Sequence, residues 1–149
     1  MIVSVIGGHR CSKEIGLIAF EVGKVIAENG HVLVCGGLTG VMEQACRGAK
    51  SVGGTTIGII PSAKKDDANP YVDIVIPTGI GLARNMIVVL AGDVVVAVDG
   101  SYGTLSEIAY ALQFNRKAFA LRTKWHVSGA VEELNEVSEL GERLKEMSC

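Results

Sequence analysis

Short apolar runs alternate with stretches of helical spacing almost without interruption along this 149-residue chain. Ile2–Ile6, Val32–Cys35, Thr56–Ile60, Ile74–Ile76, Val94–Val98 and Ala118–Leu121 are β-branched or otherwise apolar and are bounded by Gly, Pro or Asn, which predicts strands. Between the first two, Lys13–Glu28 places Ile15, Ile18, Ala19, Val22, Val25 and Ile26 at helical spacing, with Ser12 suited to cap its start and Gly30 to stop it. Val41–Lys50, Leu82–Ala91 and Thr104–Phe114 predict further helices, and the tail from Asn135 to Met147 carries Val137, Leu140, Leu144 and Met147 on one stripe. Strands that are apolar on both faces must be covered on both faces. The alternation therefore predicts an α/β fold, a Rossmann-like doubly wound parallel sheet in three α/β/α layers.

The length suits one domain, residues 1–149, with a core that needs no disulfide framework or metal. A formal net charge of −2 and the lack of any Lys/Arg run argue against nucleic-acid and membrane-surface partners, because a phosphate polymer calls for a basic patch. Cys11, Cys35, Cys46 and Cys149 form no CxxC pair and His9, His31 and His126 no HxxxH spacing, so free thiols and no metal site are expected. No apolar run reaches the roughly 18 residues of a membrane span, and the first residues lack the charged flank of a signal peptide. A cytoplasmic protein is the expectation. The polar stretch Ser62–Pro70 is the one long loop, read as a rim or lid. Met86–Ala91 is apolar all round, so a sheet would bury only part of it. A second protomer would cover the rest, giving a homodimer; burial under the tail helix is the alternative.

Three Gly-rich turns follow predicted strands: Gly7-Gly8, then Gly36-Gly37-Leu38-Thr39-Gly40, then Gly100-Ser101-Tyr102-Gly103-Thr104. In a doubly wound sheet these strand ends share the edge where ligands bind, and two of the turns open into helices, whose N-termini attract anions. Each turn alone is also explained by chain reversal. Together they predict a site for a phosphorylated small molecule. The dinucleotide fingerprint fails, because Cys35 stands at its first glycine and no acid ends the next strand, so NAD is not expected; nor is a Walker A loop present.

Arg84, at the start of the apolar helix, is positioned to fork two phosphate oxygens or to hold Glu107 in an ion pair. Glu107, one turn into the helix after Gly103, is suited to catalysis, but an acid there also simply complements the helix dipole. Tyr102 either stacks on a ligand ring or covers its turn. Cys11 and His9 lie in the first turn, Cys35 reads as core filling, and Trp125 and His126 receive no role.

Arg84-Asn85, followed fifteen residues after the arginine by Asp99-Gly100-Ser101-Tyr102-Gly103-Thr104-Leu105-Ser106-Glu107, resembles the signature of the LONELY GUY family, an arginine-lysine pair and then PGGxGTxxE. Gly36–Met42 resembles that family's middle Gly-rich turn and Gly58-Ile59-Ile60-Pro61 its next strand end. The family was long labelled "possible lysine decarboxylase" and includes phosphoribohydrolases that activate cytokinins. Lysine decarboxylation itself needs a cofactor such as pyridoxal phosphate, and nothing here marks a Schiff-base lysine. The family lysine is Asn85 here, its proline Asp99 and its second glycine Ser101, so the site loses a cation and gains a carboxylate. In these features the chain looks closer to the branch containing the molybdenum cofactor carrier protein, and more distantly similar to the DNA-processing protein A family.

Two functions follow from the resemblance, beside a third class, a sensor or scaffold whose dimer responds to a nucleotide. In one, the pocket binds and carries a phosphorylated ligand, a nucleotide or molybdopterin-type cofactor, with Ser101, Thr104 and backbone N–H groups on the phosphate and Asp99 on a donor-bearing part of the ligand. In the other, Arg84 positions a nucleoside 5′-monophosphate and Glu107 assists cleavage of its N-glycosidic bond. Asn85, Asp99 and Ser101 favour binding over catalysis.

Overall fold

β1 (Ile2–Gly7) lies at the centre of a seven-stranded, wholly parallel sheet in a computed structural model that describes residues 1–127 and 131–148. The chain continues through α1 (Lys13–Glu28), β2 (Val32–Cys35), α2 (Val41–Ser51), β3 (Thr56–Ile60) and β4 (Ile74–Pro77) to one edge of the sheet. It then crosses back through α3 (Arg84–Ala91) to β5 (Val94–Val98) and runs out by α4 (Tyr102–Gln113), β6 (Lys117–Leu121), β7 (Val131–Leu134) and α5 (Val137–Met147). The resulting order, β4-β3-β2-β1-β5-β6-β7, reverses direction at β1, which pairs with β2 on one side and β5 on the other. This is the expected three-layer α/β architecture.

The strand pleat divides the apolar residues between the two layers. Val3, Val5, Val94, Val96 and Val98 pack with α1, α2 and α5, whereas Ile6, Val95 and Ala97 pack with α3 and α4. Every residue of β5 is buried, which is why its sequence is apolar throughout instead of alternating. The buried Ser4 on β1 donates its hydroxyl to the Val88 carbonyl at 2.7 Å, so the one polar side chain on that strand holds α3 to the sheet.

Five details differ from the sequence reading. β7 was not anticipated, because Glu132 and Glu133 interrupt its apolar pattern; Arg143 and Lys117 satisfy Glu132 at 2.7 and 3.3 Å. α4 begins at Tyr102, two residues before the expected start, and Gly81–Ala83 form a 3-10 turn that delays α3 to Arg84. The tail helix packs on α1, across the sheet from α3, so it does not cover the apolar helix, whose Met86 and Leu90 remain exposed. The loop 62–70 is pinned at its end: the side-chain amide of buried Asn69 donates to the Leu38 carbonyl at 2.8 Å, and its backbone N–H donates to the Gly37 carbonyl at 2.9 Å. Among the described residues no helix is long and apolar enough to cross a membrane. Cys149 lies outside the described residues.

Candidate functional site

The three Gly-rich turns follow β2, β1 and β5, which are neighbours in the sheet, so parallel pairing sets all three at one edge. The gap between β1 and β5 is where connections leave in opposite directions and a crevice opens. The turns are tied to each other. The Val41 N–H at the start of α2 donates to the Gly8 carbonyl at 3.0 Å, and the Thr39 hydroxyl to the His9 carbonyl at 2.8 Å. Gly40 has φ +68°, and a Cβ there would overlap the backbone of Gly8 and His9, so this close approach requires glycine.

A cleft of about 170 Å³ opens between the turns. Among the expected residues Gly7, Gly8, Gly36, Ser101, Gly103, Thr104, Arg84 and Glu107 line it, while Gly37, Thr39 and Gly40 shape the turn behind. Gly100 lies in the adjoining outer hollow. Tyr102 is turned outward, 81% exposed, with its ring 5.7 Å from that of Trp125. Its aromatic partner in the structure is therefore Trp125.

Arg84, 6% exposed, is held by backbone acceptors: Nε donates to the Ile59 carbonyl at 3.0 Å and Nη2 to that of Gly36 at 3.5 Å. Nη1 donates to Oδ1 of Asn85. The residue that replaces the family lysine thus orients the arginine, and its amide nitrogen faces Gly103. Burial lowers the Arg84 pKa and the Glu107 carboxylate partly restores it; a guanidinium stays charged regardless. Glu107 is 8% exposed, and burial pushes its carboxyl up to about 8 against the pull of Arg84. At neutral pH it is mainly an uncharged acid, able to donate a proton or a hydrogen bond.

Thr104 is 2% exposed, and its hydroxyl has no hydrogen-bond partner among the described residues. The N-terminus of α4 beside it is also open, because the Ser101 side chain makes no capping bond. The inner cleft therefore combines free helix N–H groups, an unpartnered hydroxyl, an amide and a guanidinium, all donors to an anion. Among the described residues no cluster of His, Cys, Asp or Glu is arranged to hold a metal ion.

Two contributors escaped sequence reasoning. Trp125 donates its indole N–H to the Ser101 carbonyl at 3.0 Å and so braces the turn before α4. Asn69 fixes the turn after β2 from a loop more than 30 residues downstream of it in the chain. Neither bond leaves a spacing signal; an Asn before Pro70 is the only local hint.

The whole fold recurs in known proteins. The chain is 46% identical over 129 residues, 87% of its own length and 85% of the relative's, to an uncharacterized protein of Archaeoglobus fulgidus. Its structure matches that of the molybdenum cofactor binding protein from the phototrophic bacterium Rippkaea orientalis with TM-score 0.93 and 36% identity, covering 99% of this chain and 97% of the other. The molybdenum cofactor carrier protein from Chlamydomonas reinhardtii matches with TM-score 0.90 and 34% identity over 99% and 97%. The SLOG cluster4 family model matches residues 1–147, and the chain belongs to that family.

Proposed function

We propose that this chain, as a single cytoplasmic domain, binds and carries a phosphorylated small molecule of the molybdopterin or nucleotide type without breaking a bond in it. The observation that carries the reading is the buried, unpartnered Thr104 hydroxyl at the open N-terminus of α4. An orphaned buried hydroxyl costs about 1–3 kcal/mol, a cost that a phosphate oxygen in the cleft would remove. Similarity to a molybdenum cofactor binding protein and a carrier protein at 36% and 34% identity supports the cargo class. Arg84 and Asn85 would fix the anionic group from one side and the α4 N–H groups from the other.

A second reading, N-glycosidic cleavage of a nucleoside 5′-monophosphate, is favoured by one observation: Glu107, with its carboxyl near 8, stands ready as a general acid in the same cleft as Arg84. Mass spectrometry of ligand retained through purification, paired with assay of free base from a panel of nucleoside monophosphates, separates the two. A retained pterin or nucleotide with no base released supports carriage. Base release that is lost in Glu107→Gln overturns it.

The exposed Met86 and Leu90 of α3 and Tyr110 of the adjoining α4 favour a homodimer through this face. Sedimentation at micromolar concentration is expected to give twice the chain mass, and a monomer would refute it.

A further inference from the structure

We infer that the outer half of the groove is a specificity subsite in which the Asp99 carboxylate reads two adjacent N–H donors on a flat heterocycle, the edge presented by a 2-amino-4-oxopyrimidine ring. This rests on the reading above, in which the inner cleft takes the ligand's anionic group. A second hollow of about 230 Å³ is lined by Gly8, His9, Arg10, Asp99, Gly100 and Ser101. Gly8, His9 and Ser101 also line the inner cleft, so the two form one groove across the tips of β1 and β5.

The two halves of the groove differ in their side chains. Inward of Gly100 the walls offer donors; outward of it stand the exposed Arg10 and the half-buried Asp99, whose carboxylate accepts no hydrogen bond and joins no ion pair among the described residues. Asp99 does not cap α4, since Ser101 holds that position. Its backbone is fixed in the left-handed region at φ +50°, with the N–H donating to the Leu121 carbonyl at 2.9 Å. A non-glycine residue held in that region costs about 1–3 kcal/mol and is concentrated at ligand sites. The Thr104 hydroxyl lies against Gly100, the residue after Asp99, so the anion donor and the carboxylate flank the same glycine.

In the outer hollow the exposed Arg10 stands with Asp99, whereas the inner cleft offers the buried Arg84 guanidinium and the Thr104 hydroxyl with no carboxylate charge of equal strength, so an anion in this groove is drawn inward. The part of the ligand left beside Asp99 must then supply donors. A carboxylate accepts two parallel N–H bonds from an H–N–C–N–H edge, as in guanine or a pterin. An adenine edge sets an acceptor nitrogen against one carboxylate oxygen and is rejected.

Calorimetric titration of GMP, AMP and ribose 5-phosphate into wild type and Asp99→Asn tests this. Asparagine suits a left-handed backbone, so the variant retains the local fold. Wild type is expected to bind GMP at least about tenfold more tightly than AMP, one unpaired polar contact being worth about that factor. Asp99→Asn, carrying one acceptor and one donor, is expected to abolish or invert the preference, while ribose 5-phosphate binds it at least as tightly as it binds wild type. Equal affinities of wild type for GMP and AMP, or a ratio unchanged in the variant, overturn the subsite and leave the anion reading standing. If none of the three binds wild type, the proposed function itself falls.

Discussion

Glu107 feels the charge of Arg84 without forming an ion pair with it: the guanidinium is bound to the Ile59 and Gly36 carbonyls and to Asn85, and desolvation outweighs its pull on the carboxyl. The acid is therefore protonated in the folded protein at pH values where the unfolded chain would release the proton. With the folded value near 8 and the ordinary one at 4.5, the stability tied to this proton is complete below 4.5 and is lost as pH rises through about 8. The loss amounts to at most about 1.4 kcal/mol per pH unit across that window. Glu107→Gln, which cannot ionise, should melt above wild type at about pH 9 by a margin that shrinks toward about pH 5. Parallel melting curves for the two proteins that stay equally spaced at both pH values would refute it.

Thr104→Val removes the unpartnered hydroxyl and keeps the shape of the side chain. Because none of the described residues bonds that oxygen, stability is expected to stay level or rise by about 1 kcal/mol. Affinity for a phosphate ester is expected to fall about tenfold, since the hydroxyl's partner arrives only with the ligand. Chemical denaturation and calorimetry together check both halves; a clear loss of stability would show that the hydroxyl has a structural partner instead.

α1 and α2 approach so closely that a Cβ on Gly48 would overlap the Phe20 carbonyl and one on Gly23 that of Ala45. Both obstacles are backbone, which cannot rotate away. Gly48→Ala should cost about 3 kcal/mol, at the upper end for overpacking, in spite of alanine's better helix propensity. Since α2 begins at the turn after β2, the same change should loosen Gly36 against Arg84 and weaken ligand binding. A urea midpoint equal to that of wild type would exclude the close contact.

The parts of this molecule that were legible in sequence are those where one residue type has one physical use. β5 reads as a buried parallel strand because all five of its residues are apolar, and the Gly40 and Gly100 turns because positive φ selects glycine. Arg84 and Glu107 came from their places at the starts of two predicted helices that follow Gly-containing turns, and the fold set them in one cleft. Asn85 read as a lost cation, whereas its main visible role is to orient Arg84, a relation that depends on a side-chain rotamer. β7 was hidden because adjacent acids break the pattern, and only Lys117 and Arg143, distant in sequence, make them acceptable there. Asn69 and Trp125 act through bonds to backbone carbonyls that any residue type could supply, so no pattern announces them.

Trp125 is the sole tryptophan in the chain, which makes its bond to Ser101 directly observable. The Ser101 carbonyl accepts the indole N–H at 3.0 Å, and Ser101 borders both halves of the groove. A ligand that settles on the α4 N-terminus must press on this residue and change the polarity around the indole. Tryptophan emission should therefore change saturably as a phosphate ester is added, with a midpoint equal to the calorimetric Kd. Trp125→Phe keeps an aromatic partner for Tyr102 but leaves the Ser101 carbonyl unbraced; it should cost about 1 kcal/mol in stability and loosen binding severalfold. Emission that ignores a saturating ligand, or a phenylalanine variant that binds as tightly as wild type, would separate Trp125 from the site.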